Sequence, residues 1–208
     1  MRPIRGAGRL LAGAYALGAA ATLLGLAAPR AQAAFEFSGV PALPTLSTVT
    51  LNGKSQTVNT TMSNFAVIDT RGTKSGWNVT VIGQSGVGKS AVFKRYCPKV
   101  KCGTDAEGYV TGGSTLAANS LKLNSTGAKF SGGTGAAPTL QCAASCNVDS
   151  AAAVKIASAA TGGAGESTWT TSGFAATSLA LAAPTTLHAL SNEEVYRVNI
   201  LWTLSTGP

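Results

Sequence analysis

Histidine is nearly missing from this chain: His188 is the only one in 208 residues. A Ser-His-Asp or Cys-His arrangement would have to use it. It comes after Pro184 in an apolar stretch, 186–190, which is the setting of a core or surface histidine rather than a base. Acids are also scarce, and Glu193 and Glu194 are adjacent. On a strand, neighbours point to opposite faces, so they do not form a carboxylate pair. No H-E-x-x-H, EF-hand or G-x-S-x-G pattern occurs. Long 3.6-period stripes of Leu, Glu and Lys are missing too, which argues against a helical bundle. There is no repeat of fixed period and no heptad run. The expectation is a non-enzyme with no cofactor and no metal.

What is abundant is Thr, Ser, Ala and Gly, a composition suited to many short strands joined by turns. The expected fold is all-β, an antiparallel sandwich or barrel-like domain with long Gly/Ser-rich loops. A chain of this size buries roughly 70% of its unfolded surface around one core, so one domain is expected.

Residues 1–33 have the layout of an export signal. Arg2, Arg5 and Arg9 precede an apolar, uncharged run (10–28), Pro29 ends it, and Ala31-Gln32-Ala33 supplies a small-x-small cleavage site. The alternative is a membrane anchor, since the run approaches the roughly 20 residues that span a bilayer. Its Ala/Gly content and cleavage pattern favour the signal. The mature domain is then 34–208, secreted, with no later apolar run long enough to span. Losing Arg2, Arg5, Arg9 and Arg30 leaves twelve of 16 cations against 8 acids, so the net charge falls from +8 to +4. Of the cations that remain, Lys89, Lys94, Arg95, Lys99 and Lys101 cluster. They form either a solvated loop or a contact for an anionic polymer. No nucleic-acid partner is expected.

Cys97, Cys102, Cys142 and Cys146 form an even set in an exported chain, which points to disulfides. Three connectivities exist, and local pairing of Cys97 with Cys102 and Cys142 with Cys146 is preferred because each pair brackets a short polar loop. A four-cysteine zinc site is disfavoured by the oxidising compartment.

Along the chain, 35–44 reads as a lead-in limited by Pro41 and Pro44. Residues 46–51 and 56–62 read as strands joined by the hairpin signal Asn52-Gly53, and 65–69 as a third strand, giving a front meander. Residues 83–113 read as a surface excursion. Weaker strands are expected over 121–130 and 152–157, flexible links over 132–135 and 162–165, and an edge strand over 168–174. The clearest strands are 76–82, with Trp77, Val79 and Val81 alternating with Asn78 and Thr80, and 196–205, with Tyr196, Val198, Ile200, Trp202 and Leu204 alternating with polar residues.

Residues 83–90 match G-x-x-x-x-G-K-[ST], with Gly83, Gly88, Lys89 and Ser90 at the specified positions. In a nucleotide-binding protein such a loop opens a helix. Here only 91–96 intervenes before Cys97-Pro98, with no apolar stripe. A Gly-rich β-loop is the expected structure, and phosphate-loop nucleotide binding is kept as a weak alternative.

The two tryptophan strands resemble the WxL-type cell-surface domain of Gram-positive bacteria. The segment 196–205 with the trailing Gly207-Pro208 is similar to that family's C-terminal motif. Gly76-Trp77-Asn78-Val79-Thr80-Val81 is similar to its distal motif, with Val79 where Leu is usual. The stretch carrying Asn52, Gly53, Lys54, Met62, Phe65 and Asp69 resembles the region upstream of it. The resemblance implies non-covalent attachment to the cell wall, with peptidoglycan as ligand, and assigns Trp77, Val79, Trp202 and Leu204 to a wall-binding motif or to its core scaffold. Indoles alternating with aliphatics are more often core than ligand platform. A surface module that pairs with other surface proteins through a sheet edge is the second reading. The cysteines and basic cluster depart from the low-cysteine members, and the Ala/Gly-rich leader suggests an actinobacterial relative.

Overall fold

A computed structural model describes residues 33–39, 41–98, 108–191 and 193–208. The segment read as an export signal (1–32 of it), Lys99, Lys101 and Cys102 lie outside the described residues. The part from Ala33 to Pro208 forms one unit, built from strands and connections, with no helix among the described residues.

The strands are β1 (Phe35–Phe37), β2 (Gln56–Thr60), β3 (Ala66–Asp69), β4 (Trp77–Gly83), β5 (Lys94–Tyr96), β6 (Leu121–Leu123), β7 (Lys129–Thr134), β8 (Thr139–Leu140), β9 (Cys146–Asn147), β10 (Val154–Ala159), β11 (Glu166–Ser172), β12 (Leu179–Ala183), β13 (Val195–Arg197) and β14 (Ile200–Thr206). They assemble into sheets of order β1-β3-β11-β7, β14-β4-β10-β8 and β2-β12-β6-β9, with a ribbon β13-β5. Each of these pairings is antiparallel. This is a sandwich of open sheets, and the barrel-like alternative is not realised.

One apolar core joins the sheets. It is fed by inward residues at every second position: Trp77, Val79 and Val81 of β4 are buried while Asn78, Thr80 and Ile82 are half-buried on the other face. A register shift in β10 between Lys155 and Ala157 lets Ile156 and Ala157 both enter the core. A β-bulge of this kind adds one residue without losing the flanking alternation.

Several expectations need correction. The turn at Asn52-Gly53 forms, with the Lys54 amide donating to Asn52 Oδ1 at 3.0 Å, but 46–51 is not a strand. Leu46 and Val49 pack on the core instead, and β2 pairs with β12, more than a hundred residues away. The front is therefore no meander. The lead-in contains β1, which pairs with β3. Residues 132–134 belong to β7 rather than a free link. Gly133 is required there because a Cβ would lie 2.1 Å from the Trp169 ring, and its φ is +58°. The segment 168–174 is mostly the inner strand β11, flanked by β3 and β7. Its Thr171 hides its hydroxyl by accepting from the Phe65 amide at 2.8 Å and donating to the Phe65 carbonyl at 3.0 Å. The excursion 83–113 contains β5.

Candidate functional site

The two tryptophan segments, more than a hundred residues apart in the chain, lie side by side. β14 pairs with β4 along its whole length, placing Trp202 opposite Val81, Leu204 opposite Val79 and Thr206 opposite Trp77. Directly opposed residues share a face, so Trp77, Val79, Trp202 and Leu204 all point inward. Trp77 and Val79 are fully buried, whereas Trp202 and Leu204, on the edge strand, are half-buried.

Phenylalanines of the facing layer join the indoles. Trp202 lies 6.1 Å from Phe65, Phe65 lies 5.9 Å from Phe130, and Phe130 lies 5.9 Å from Trp77, measured between ring centroids. The last two are edge-on contacts, the favoured aromatic arrangement. Trp77 Nε1 donates to the Gly165 carbonyl at 3.1 Å. That approach demands glycine: a Cβ on residue 165 would fall 2.5 Å from Trp77 Nε1.

The segment 196–205 is two strands rather than one, and Asn199 marks the break between β13 and β14. Its Oδ1 accepts from the Ser90 amide at 3.1 Å and from the Tyr109 hydroxyl at 2.5 Å, and its own amide donates to the Ser90 carbonyl at 2.8 Å. Its carbonyl accepts from the Gln84 amide at 2.8 Å. Asn199 thus clamps the motif strand onto the loop after β4. The packing role of Phe130 and the clamping role of Asn199 are not marked locally in the sequence, because only their three-dimensional partners reveal them.

This clamp also defines the loop with the phosphate-loop pattern. Gly83 ends β4, and Gly86 to Lys89 is a tight turn closed by the Lys89 amide on the Gly86 carbonyl at 3.1 Å. Gly88 takes φ +68° within it. The Ser90 hydroxyl donates to the Val92 carbonyl at 2.7 Å. The chain then proceeds to β5 without forming a helix, so this segment offers no helix N-terminus to a phosphate.

The cation cluster is divided. Arg95 pairs with Glu194, Nε to Oε1 at 2.7 Å, and Lys89 and Lys94 line a small cup with Tyr109. Cys142 and Cys146 are disulfide-bonded with Cα atoms 5.2 Å apart. Cys97 is also disulfide-bonded. His188 is exposed on the wall of an apolar groove of about 920 Å³, and its carbonyl accepts from the Tyr196 hydroxyl at 3.2 Å.

The turn into β4 is held by Asp69 and Arg71. Arg71 donates Nε to Oδ1 and a terminal NH₂ to Oδ2, both at 2.8 Å, while its guanidinium lies 3.5 Å above the Phe35 ring. The Arg71 hydrogen bonds hold the Asp69 carboxyl below its ordinary range against the opposing effect of burial. A carboxyl lowered on folding stabilises the fold above its unfolded pKa of about 4, and that stability is lost as pH falls through the folded value. Thermal melts of wild type should drop on acidification below about pH 4. Asp69→Asn should cost about 1–2 kcal/mol at pH 7 and flatten that acid limb. An unchanged acid limb in the variant would remove Asp69 as its source.

The two tryptophan strands of this all-β sandwich thus pair at one sheet edge with both indoles packed on the core. The chain belongs to the WxL family: residues 37–208 match the WxL domain, described as surface cell wall-binding. It is therefore a cell-surface, cell-wall-binding domain. The actinobacterial affiliation is not borne out by this match. No curated protein and no solved structure matches the chain.

Proposed function

We propose that this protein is exported and held non-covalently on the wall by peptidoglycan contacts, with the tryptophans scaffolding the binding surface rather than forming it, and that its role is adhesion or anchoring rather than catalysis. The observation that carries this reading is the inward direction of both motif indoles. What the paired strands offer outward is their other face. There Leu201 lies beside Ile82, Thr203 beside Thr80 and Ser205 beside Asn78, with Lys155 and Ser158 of β10 next in line. The exposed hydroxyls of Thr203 and Ser205 suit hydrogen bonding to saccharide hydroxyls, and exposed Leu201 adds apolar area.

Co-sedimentation with purified peptidoglycan, run beside thermal melts, tests this. The triple substitution Leu201→Ala, Thr203→Ala, Ser205→Ala should reduce binding and leave the melting curve nearly unchanged. Trp202→Ala should lose binding together with about 2 kcal/mol of stability, less than a fully buried indole because the side chain is half-exposed. Lost binding in Trp202→Ala with an unaltered melt would make the indole itself the contact and overturn the scaffold reading.

A second reading has its own observation. β14 ends its sheet, so among the described residues one long edge of a seven-residue strand has no neighbour. Such an edge can accept a partner strand. Recovery of envelope proteins, and not peptidoglycan, in a pull-down would favour it.

A further inference from the structure

Next to the motif strands lies a cup of about 240 Å³, lined by Gly86, Gly88, Lys89, Lys94, Tyr109 and Thr111 among others. Two lysines five residues apart on one segment supply its cations. Lys89 closes the tight turn after β4, and Lys94 opens β5. Neither has an ion pair among the described residues, where the salt bridges are Arg71 with Asp69 and Arg95 with Glu194. Among the described residues no carboxylate lines the cup.

A third cation lies beside Lys94 on the ribbon. Arg197 of β13 is the direct cross-strand partner of Lys94, and its guanidinium lies 4.6 Å above the Tyr96 ring. Tyr96 in turn meets Tyr109, a wall of the cup, edge-on at 5.1 Å, while Arg197 itself lines the apolar groove. Like charges directly opposed across a strand pair are destabilising. The fold keeps this pair and adds Lys89, while the neighbouring Arg95 turns to the other face and is neutralised by Glu194. The Asn199 clamp fixes the arrangement, since it holds Tyr109 and Ser90 at the same wall.

We infer that this cup is a subsite for an anionic group of the wall polymer, a phosphodiester or a carboxylate, gripped by Lys89 and Lys94. The source of the anion rests on the wall-binding reading above, whereas the affinity of the cup for anions does not. Coulomb attraction at an exposed site is modest and screened by salt, so binding here should weaken as ionic strength rises.

The test compares wild type, Lys89→Gln/Lys94→Gln, and a charge-matched control, Lys54→Gln/Lys122→Gln, whose lysines are exposed elsewhere. Soluble polyphosphate is titrated into each by calorimetry. The cup variant should bind roughly fivefold to tenfold more weakly than the control at low salt, with the gap closing at high salt. Equal affinities for the two doubles overturn the subsite. In parallel, each protein is sedimented with native walls and with walls stripped of phosphodiesters by hydrofluoric acid. Wild type falling to the level of the cup variant on stripped walls assigns a phosphodiester. A retained advantage on stripped walls assigns a carboxylate. Equal binding of both doubles to native walls overturns the assignment to the wall even where polyphosphate separates them. If wild type fails to bind any wall, the wall-binding reading falls, and the polyphosphate titration still decides whether the cup holds anions.

Discussion

Trp77→Ala should be among the most damaging single changes in this protein, lowering stability by about 3–5 kcal/mol. The side chain is fully buried, its ring meets Phe130, and its Nε1–H is the partner of the Gly165 carbonyl. Truncation removes the apolar burial, leaves a cavity that a glycine-tight neighbourhood fills poorly, and strands that carbonyl without its donor. For a domain of this size the melting temperature should fall by about 10–15 °C. Against a total stability of about 5–15 kcal/mol, much of the margin is gone. Trp77→Phe keeps a ring against Phe130 but loses the hydrogen bond, so it should cost less, about 1–2 kcal/mol. Differential scanning calorimetry of both variants gives the answer. A Trp77→Ala protein melting within about 2 °C of wild type would show that the indole does not anchor the core.

The inward set of the motif strands is legible in the sequence because alternation is a local property. Trp77, Val79 and Val81 can be assigned one face without knowing the neighbour. That β14 is this neighbour, with Trp202 beside Val81, is not legible, since antiparallel pairing over so long a separation is decided by which inward sets fill the same core. The same physics explains the hairpin that does not form. Asn52-Gly53 specifies a bend, but the arms of a bend become strands only where their backbone finds partners, and Leu46 and Val49 are taken by the core. The Thr-rich segment suggests an edge because hydroxyls favour water. Inside, Thr171 meets that need through both backbone groups of Phe65. The cation cluster is contiguous as a string, yet strand alternation sends Lys94 and Arg95 to opposite faces, and Glu194, ninety-nine positions on, claims one of them. The phosphate-loop pattern shows the converse. The residues are all there, but the chain beyond Ser90 builds β5 rather than a helix, and the loop's chemistry passes to Lys89 alone.

Asp149→Ala should rival the tryptophan change, at about 3–5 kcal/mol, although nothing in the sequence marks this residue. It is fully buried. Its Oδ2 accepts from the Ser120 amide at 2.9 Å and its Oδ1 from the Leu121 amide at 3.1 Å, so it holds the start of β6, which delivers Leu121 and Leu123 to the core. Alanine leaves two buried amides with no acceptor, each a full desolvation cost. Asparagine keeps one acceptor oxygen and should recover part of the loss. Protonation separates this residue from Asp69. Burial pushes the Asp149 carboxyl above its ordinary value, and the two amides only partly oppose that. A carboxyl raised on folding favours the folded state most when protonated, and that advantage fades as pH rises from about 4 through the folded value. The stability of wild type relative to Asp149→Asn should therefore decline as pH climbs above about 4, the reverse of the slope expected for Asp69→Asn. Denaturant melts at several pH values measure both slopes at once. A wild-type advantage over Asp149→Asn that grows with pH would mean that the two amides outweigh burial at this carboxyl, and a cost below about 1 kcal/mol for Asp149→Ala would mean that β6 is held by its neighbours alone.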